Sequence, residues 1–224
     1  NSLSYDERRS IPPHVLLVFG NRGILGMQVA KQYGGLGLAT SDVLKVIEQL
    51  GAIDQTLAMM CIVHNTLGIL PIERAAKEES KHSLLPRLAC GRELVAFAMT
   101  EPGAGSNPRA ITTKATKAAA GKWRISGEKS WSGTAGWASV VNVFAQNIEL
   151  NGEPRGMVGF SIPMSSDGIT IGPEAKTFGM RGMVQNTIYF DNVVVDESQL
   201  LGEPGDGMNV AQHAMQRGRL MIAA

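Results

Sequence analysis

The spacing of apolar residues divides the chain into two parts near residue 92. Before that point, apolar residues recur at intervals of three and four positions, which is the pattern of amphipathic helices packed together. The segments with this pattern are residues 14–19, 43–50, 56–66 and 73–89. The third is apolar nearly all round and favours the interior of a bundle, whereas the fourth is charged and predicts one helix or a helix pair, interrupted at Pro86.

Proline, serine, aspartate and glycine residues beside these segments predict where the helices begin and end. Pro13 suits a first turn, where a missing N–H costs nothing. Ser41 or Asp42 can cap the second helix, and Gly51 is expected to end it. Asp54 can cap the third helix, because its carboxylate can accept a hydrogen bond from a backbone N–H of the first turn.

After about residue 94, apolar residues alternate in short runs that Gly and Pro separate, which is the pattern of β strands. The runs are residues 94–100, 111–117, 122–126, 140–145, 157–162, 169–171 and 187–195. A turn at residues 118–121 joins the second run to the third and predicts a hairpin. So many short strands predict a sandwich or a barrel. A helical pattern returns at residues 208–224.

These patterns predict an α+β protein of several domains. Its parts are an N-terminal α-helical bundle at residues 1–93, a middle strand-rich domain at residues 94–206, and at residues 207–224 the first helix of a C-terminal helical domain. Because the last helical pattern stops without a Gly or Pro, we expect the fold to continue past Ala224. The start at Asn1 rather than Met favours a processed or trimmed chain.

The composition argues against several classes of function. The 224 residues carry 21 Lys and Arg against 20 Asp and Glu, a formal net charge of +1, which gives no electrostatic basis for binding nucleic acid. Two separated cysteines, Cys61 and Cys90, and four scattered histidines indicate neither a metal site nor a disulfide framework, and favour a reducing compartment. No apolar run approaches the roughly 20 residues that span a bilayer, so we expect no membrane insertion.

A loop rich in small residues is the first candidate site. Residues 97–106 read Phe-Ala-Met-Thr-Glu-Pro-Gly-Ala-Gly-Ser, so a strand leads into a bend with two glycines. Small residues let a ligand reach backbone N–H groups, and such a nest suits a phosphate, with Thr100 and Ser106 adding hydroxyl donors. An ordinary tight turn explains the same residues. Neither the dinucleotide fingerprint nor a Walker loop is present.

The second candidate is the stretch 123–133, which contains two tryptophans. Trp123 is expected to lie in the core. Trp131 has small polar neighbours, Ser132 and Gly133, so it is either a core residue or a face for a flat aromatic cofactor.

An ordered set of motifs resembles the acyl-CoA dehydrogenase family over nearly the whole chain. The motifs are Tyr-Gly-Gly-Leu-Gly at 33–37, Thr-Glu-Pro-Gly-Ala-Gly-Ser at 100–106, Gly-Glu-Lys-Ser-Trp at 127–131, Phe-Gly-Met-Arg-Gly at 178–182, Phe-Asp-Asn-Val-Val-Val at 190–195, Leu-Gly-Glu-Pro-Gly at 201–205 and Gly-Arg at 218–219. The resemblance implies a helical first domain, a middle β-barrel-like domain that binds FAD, and a helical third domain.

The resemblance also implies contacts for the cofactor. Phe97, Met99 and Thr100 would line the isoalloxazine ring. Gly105 and Ser106 would lie beside the pyrophosphate, with Ser106 also near the thioester substrate.

Trp131 would pack against the flavin, and Ser132 and Gly133 would approach its N(5) edge. The chain departs from the family pattern in two places, one beside Trp131 and one after the loop serine. The family usually has Ser or Thr where Gly133 stands, and Ser132 should face the other way along the strand. The family usually has Asp after the loop serine, where this chain has Asn107 followed by Pro108.

The implied reaction is an α,β-dehydrogenation in which a glutamate removes the α-proton and the flavin accepts the hydride. One branch of the family carries that glutamate at the position of Gly218, so we expect the base beyond Ala224 and assign no catalytic residue and no metal to this chain. Glu101 and Glu128 are interpreted as solvated or capping side chains, and His64 as a core or pocket-wall residue.

The implied partners are an acyl-CoA or a carrier-bound acyl thioester, and an electron-accepting flavoprotein. The implied assembly is a homodimer or homotetramer, located in the cytoplasm or, in a eukaryote, in the mitochondrial matrix. Three alternatives stay open: a dehydrogenase of carrier-protein thioesters, a relative whose flavin chemistry is not desaturation, and a non-catalytic scaffold or ligand-binding subunit that lacks the base.

Overall fold

The computed structural model describes residues 2–118, 121–149 and 152–224. Its helices are α1 Ser2–Arg8, α2 Pro13–Asn21, α3 Thr40–Ile53, α4 Gln55–Ile62, α5 Leu70–Ala75, α6 Glu78–Ala89 and α7 Gly207–Ile222. A π-helical segment, Val63–Ile69, joins α4 to α5, so that Gln55–Ala75 is one continuous helix, called the central helix below. The predicted helical first part and the helix after the strands are confirmed.

The central helix is long and apolar enough, by length and composition, to cross a membrane. The expectation of no such segment is therefore wrong, because the helix continues through the π segment beyond residue 66. Its most apolar window is 78% buried inside the protein, as in the core helix of a soluble protein, so its length is weak evidence of a membrane span. Between residues 56 and 72, the partly exposed positions form one apolar stripe: Met59, Val63, Leu67 and Leu70.

Two predicted helix signals are confirmed and one is misplaced. Pro13 occupies the first turn of α2, and the Asp54 carboxylate accepts a hydrogen bond from the N–H of Leu57 at 2.9 Å. The predicted interruption at Pro86 is wrong, because Pro86 lies inside α6. The break between the helices of the pair falls instead at Ala76, which has an extended backbone conformation.

The predicted ends of α3 are wrong. The helix begins at Thr40, so Ser41 and Asp42 lie in its first turn, and Gly51 lies inside it. A tertiary contact favours the earlier start, because the Thr40 hydroxyl accepts a hydrogen bond from the guanidinium of Arg217 on α7. Burial of one face of α3 offsets the roughly 1 kcal/mol that an internal glycine costs.

In the described ranges, seven strands form a curled mixed sheet: β1 Val95–Ala98, β2 Lys114–Lys117, β3 Lys122–Gly133, β4 Val140–Ile148, β5 Pro154–Pro163, β6 Ile169–Glu174 and β7 Gln185–Asp196. Strand β4 pairs in parallel with β1 and β2 and antiparallel with β5. The order continues from β2 through β3 and β7 to β6, all antiparallel. The predicted strands and the β2–β3 hairpin are confirmed, although residues 119–120 of its predicted turn lie outside the described residues.

The helices and the sheet share a core. One cluster of buried residues combines Ile69, Leu85 and Leu88 of the helices with Val95 and Phe144 of the sheet. A polar contact reinforces it, because the buried side-chain amide of Asn142 on β4 donates hydrogen bonds to the carbonyls of residues 67 and 68 in the π segment. The sheet therefore supports the irregular turn of the central helix directly.

Replacing Gly68 with alanine should destabilise the protein by roughly 1–3 kcal/mol. A Cβ at this position would overlap with Cγ1 of the buried Val95, so the central helix and β1 would have to separate. The matched control is Gly51→Ala. A Cβ on Gly51 would lie 3.9 Å from the nearest atom, so this change should stabilise the protein by up to about 1 kcal/mol. Urea denaturation measures both, and equal effects would contradict the close approach of helix and strand.

Candidate functional site

The two candidate stretches meet where β1 ends beside β3. The backbone N–H of Ser130 donates a hydrogen bond to the carbonyl of Thr100 at 2.8 Å. The ammonium of Lys129 donates to the carbonyl of Met99 at 3.1 Å. The loop after Thr100 and the indole of Trp131 therefore start from adjacent points on the sheet.

The small-residue loop is a tight turn with an open side. Glu101 and Ala104 exchange two backbone hydrogen bonds, of 3.2 and 3.0 Å. Within the described part of the chain, the N–H groups of Gly103, Gly105 and Ser106 donate to no protein atom. A Cβ at either glycine would have no neighbour within 4 Å, and Ser106 is exposed. These N–H groups are therefore open to an anion, and the predicted phosphate contact stays a prediction.

A buried ion pair anchors the base of this loop. The carboxylate of Glu101, which is 4% exposed, lies 2.8 Å from the ammonium of Lys129, which is fully buried. The same carboxylate accepts hydrogen bonds from the backbone N–H groups of Thr112 and Thr113. The interpretation of Glu101 as a solvated side chain is therefore wrong, although it does cap backbone N–H groups.

The ion pair keeps Glu101 ionised. Burial opposes ionisation, but the hydrogen bonds from Lys129 and from residues 112 and 113 outweigh it and hold the pKa of the Glu101 carboxyl at about 2. Burial lowers the pKa of the Lys129 ammonium to about 8, against the opposing effect of Glu101. A carboxylate with these partners is committed to the loop and is not available as a base.

Trp131 stands out from the sheet. Its side chain is 59% exposed, whereas Trp123 is buried and packs edge-on against Phe160, which confirms Trp123 as a core residue. A register shift between Lys129 and Ser132 places both of these side chains inward and turns Trp131 outward. The backbone of Trp131 is left-handed, with φ of 57°, a strained conformation of the kind found at functional sites.

The other predicted contacts differ in their access to this surface. Phe97, Thr100 and Gly133 are half-buried, and Phe97 packs against Phe144. The side chains of Met99 and Ser132 are buried. Both residues are buried with their backbones included, so their predicted contacts with a cofactor stay predictions. Strand alternation places the Ser132 hydroxyl away from the Gly133 face.

The central helix and α7 border the Gly133 face. A Cβ placed on Gly133 would lie 3.9 Å from Cγ1 of Val63, and one placed on Gly218 would lie 3.3 Å from the hydroxyl of Thr66 and 3.7 Å from Leu67. The apolar stripe thus runs from the edge of β3 towards the position of Gly218. At the Met59 end of the stripe lies a groove of about 310 Å³ lined by the central helix, α3 and α7; among its residues are Gln55, Met59, Ile62, Met221 and Ile222.

Other titratable groups near the site are inert. His64 is buried, and burial lowers its pKa to about 4; its Nε2 lies 3.1 Å from the carbonyl of Leu88. The interpretation of His64 as a core residue is confirmed. Burial raises the pKa of the Cys61 thiol far above its usual range. Within the ranges that the structure describes, no three His, Cys, Asp or Glu residues are grouped to hold a metal ion.

Sequence reasoning missed two residues of the site. Lys129 occupies the inward-facing parity of β3 with Trp123 and Ile125, so the alternation could have identified it as buried and in need of a partner. Met183, whose methyl group lies against Gly133, carries no sequence signal, because the contact joins segments 50 residues apart in the chain.

Two family models match the chain: the acyl-CoA dehydrogenase N-terminal domain at residues 2–92 and the acyl-CoA dehydrogenase middle domain at residues 96–193. An acyl-CoA dehydrogenase of Bacillus subtilis (strain 168) is 32% identical over 213 residues, which are 95% of this chain and 56% of that protein.

Solved structures of acyl-CoA dehydrogenases have the same fold as this chain. A glutaryl-CoA dehydrogenase from Mycobacterium smegmatis in complex with FADH2 has a TM-score of 0.90 and 29% identity, over 98% of this chain and 54% of that one. Butyryl-CoA dehydrogenase from Megasphaera elsdenii has a TM-score of 0.92 and 26% identity, over 98% and 58%. The chain spans little more than half the length of these relatives.

Proposed function

Because the chain belongs to the acyl-CoA dehydrogenase family, we propose that it forms the flavin-binding part of a protein that oxidises an acyl thioester between its α and β carbons. One observation carries the proposal. The loop after β1, whose N–H groups have no partner among the described residues, and the exposed indole of Trp131 on β3 start from points joined by the Thr100–Ser130 hydrogen bond. Their chemistry fits the two ends of a flavin nucleotide, a diphosphate and a flat ring.

The loop would hold the diphosphate of FAD. The N–H groups of Gly105 and Ser106 are exposed donors without protein partners among the described residues. They can bind an anion without placing a full positive charge beside it. The Ser106 hydroxyl, on the exposed side of the turn, would also reach the thioester substrate.

The sheet would hold the ring. Trp131 would pack on it, Phe97 and Thr100 would line it with Met99 buried behind them, and the N–H of Gly133 would face its N(5) edge. Ser132 is fully buried, so it would hold Trp131 and Gly133 in place beside the ring. When bound, FAD supplies the hydride acceptor of the reaction.

The apolar stripe of the central helix would bind the acyl chain. Met59, Val63 and Leu67 offer the substrate a partly exposed, uncharged wall next to Gly133. Burial of the chain there would exclude water from the reacting carbons. The groove at the end of the stripe gives room for further methylene groups.

The proton acceptor would come from outside residues 1–224. Gly218 has no side chain to accept a proton, and Glu101 is held in its ion pair. We further propose that the electrons pass to an electron-accepting flavoprotein and that the protein works as a homodimer or homotetramer. The proposed location is the cytoplasm, or the mitochondrial matrix in a eukaryote.

Anaerobic titration of the natural protein that contains this chain tests the proposal. A saturated acyl-CoA should bleach the visible flavin absorption, and the matching enoyl-CoA should bind without bleaching it. Bleaching by a carrier-bound acyl group alone would favour the carrier-protein alternative. Bound FAD that neither thioester reduces would favour the scaffold, and a protein that binds no FAD would contradict the proposed function.

A further inference from the structure

We propose that Met183 takes the place of a side chain at residue 133, so that the edge of β3 offers the flavin a backbone N–H but no hydroxyl. The inference rests on the proposed function, because it concerns the flavin that Gly133 would face. It makes Gly133 and Met183 a matched pair that positions the ring edge.

The space beside Gly133 is already filled. A Cβ built on Gly133 would lie 2.7 Å from the terminal methyl of Met183, closer than real Cβ contacts allow. The methyl is the end of a flexible side chain, but Met183 is itself 5% exposed, so the methionine can turn away only by repacking within buried surroundings. A serine or threonine at residue 133 would therefore have to displace the methionine.

Hydroxyl groups next to Gly133 in the chain cannot compensate. The Ser132 side chain is fully buried on the opposite face of β3. The Thr134 hydroxyl is directed back to the carbonyl of Gly133, to which it donates a hydrogen bond of 2.6 Å, and Thr134 is 2% exposed. The N–H of Thr134 is also committed, because it donates to the carbonyl of Val184 at 2.8 Å.

The segment that carries Met183 is fixed by contacts with α1 and with Arg9, the residue directly after α1. The Asp6 carboxylate accepts hydrogen bonds from the backbone N–H and the guanidinium of Arg181, at 3.0 and 2.8 Å. The guanidinium of Arg9 pairs with Glu174 and donates to the carbonyls of residues 175 and 177. Met183 is therefore held against β3 by contacts at residues 174–181 before it and by the hydrogen bond from Thr134 to Val184 directly after it.

The absence of a hydroxyl has a chemical consequence. An N–H can only donate a hydrogen bond, whereas a hydroxyl both donates and accepts. The flavin nitrogen at this edge is an acceptor when oxidised and carries a proton when reduced. The N–H of Gly133 therefore serves only the oxidised form, and adding a hydroxyl should favour the reduced form.

A double-mutant cycle in the natural protein tests the pairing. At one fixed FAD concentration, Gly133→Ser should lower the thermal midpoint by several degrees, and this loss should shrink or vanish in the Met183→Ala background. The matched control is Gly179→Ser, where a Cβ has no neighbour within 4 Å and the two backgrounds should agree. Equal losses from Gly133→Ser in both backgrounds would overturn the proposal.

The flavin midpoint potential tests the role towards the cofactor. Gly133→Ser combined with Met183→Ala should shift the potential of bound FAD to more positive values than Met183→Ala alone, and Met183→Leu should leave it unchanged. Coupling in stability with no shift in potential would overturn the proposal and leave the proposed function intact. A natural protein that binds no FAD would overturn both.

Discussion

Replacing Lys129 with methionine should destabilise the protein by about 3–5 kcal/mol, because it leaves the carboxylate of Glu101 buried without its counter-ion. Both side chains lie almost entirely out of solvent, so water cannot replace the lost ammonium. Glu101 also caps the N–H groups of residues 112 and 113, so the disturbance should spread to both sides of the loop. Urea denaturation measures the loss.

The pH dependence of the free energy of unfolding is a second test of the Glu101–Lys129 ion pair. The pKa of Glu101 is about 2 in the folded protein, below its ordinary value of 4.5. Its contribution to stability is therefore complete above about pH 4.5 and is lost as the pH falls towards 2. In Lys129→Met the folded pKa rises, so this acid loss should become smaller.

Two variants serve as controls for Lys129→Met. Lys114→Met makes the same chemical change at an exposed position of β2 and should alter stability by less than about 0.5 kcal/mol. The double variant Glu101→Gln with Lys129→Met removes both charges and should recover part of the loss. A loss below about 1 kcal/mol for Lys129→Met would show that the ion pair does not anchor the loop.

Replacing Trp131 with glycine should separate ligand binding from folding. The backbone at Trp131 is left-handed, a conformation that glycine adopts without strain, and the indole is mostly exposed. The thermal midpoint without flavin should therefore not fall. Affinity for FAD should fall roughly 10- to 100-fold, the equivalent of one aromatic stacking contact.

Fluorescence titration with FAD measures this affinity in the natural protein. The control is Tyr189→Ala, which removes an exposed aromatic side chain from β7 and should leave affinity for FAD unchanged. Trp131→Phe keeps an aromatic face and should lose less affinity than Trp131→Gly. If Trp131→Gly unfolds the protein, or binds FAD as tightly as the parent, the indole is not the platform.

The periodic elements were predictable from the sequence and the irregular ones were not. The shift from helical to alternating spacing near residue 92 correctly separates the helices from the sheet. The register shift in β3 was missed, because regular alternation would place Lys129 and Trp131 on one face. The π segment at residues 63–69 was missed as well, since its freed carbonyls are satisfied by Asn142 from a distant strand.

Contacts across long sequence distances limit what the sequence reveals about the site. The loop motif and Trp131 could be recognised as candidates, but their adjacency depends on the hydrogen bond from Ser130 to Thr100. Similarly, the pairing of Glu101 with Lys129 depends on the residues after β1 lying against β3, which no local pattern specifies. The residue types indicated an anion-binding loop and an aromatic face as candidates, whereas their adjacency follows from the curl of the sheet.

A crystal structure of the natural protein with FAD tests the central claim most directly. The account predicts the diphosphate on the N–H groups of Gly105 and Ser106, and the isoalloxazine ring on the indole of Trp131 with its edge at Gly133. FAD bound elsewhere, or a ring that does not touch Trp131, would contradict it.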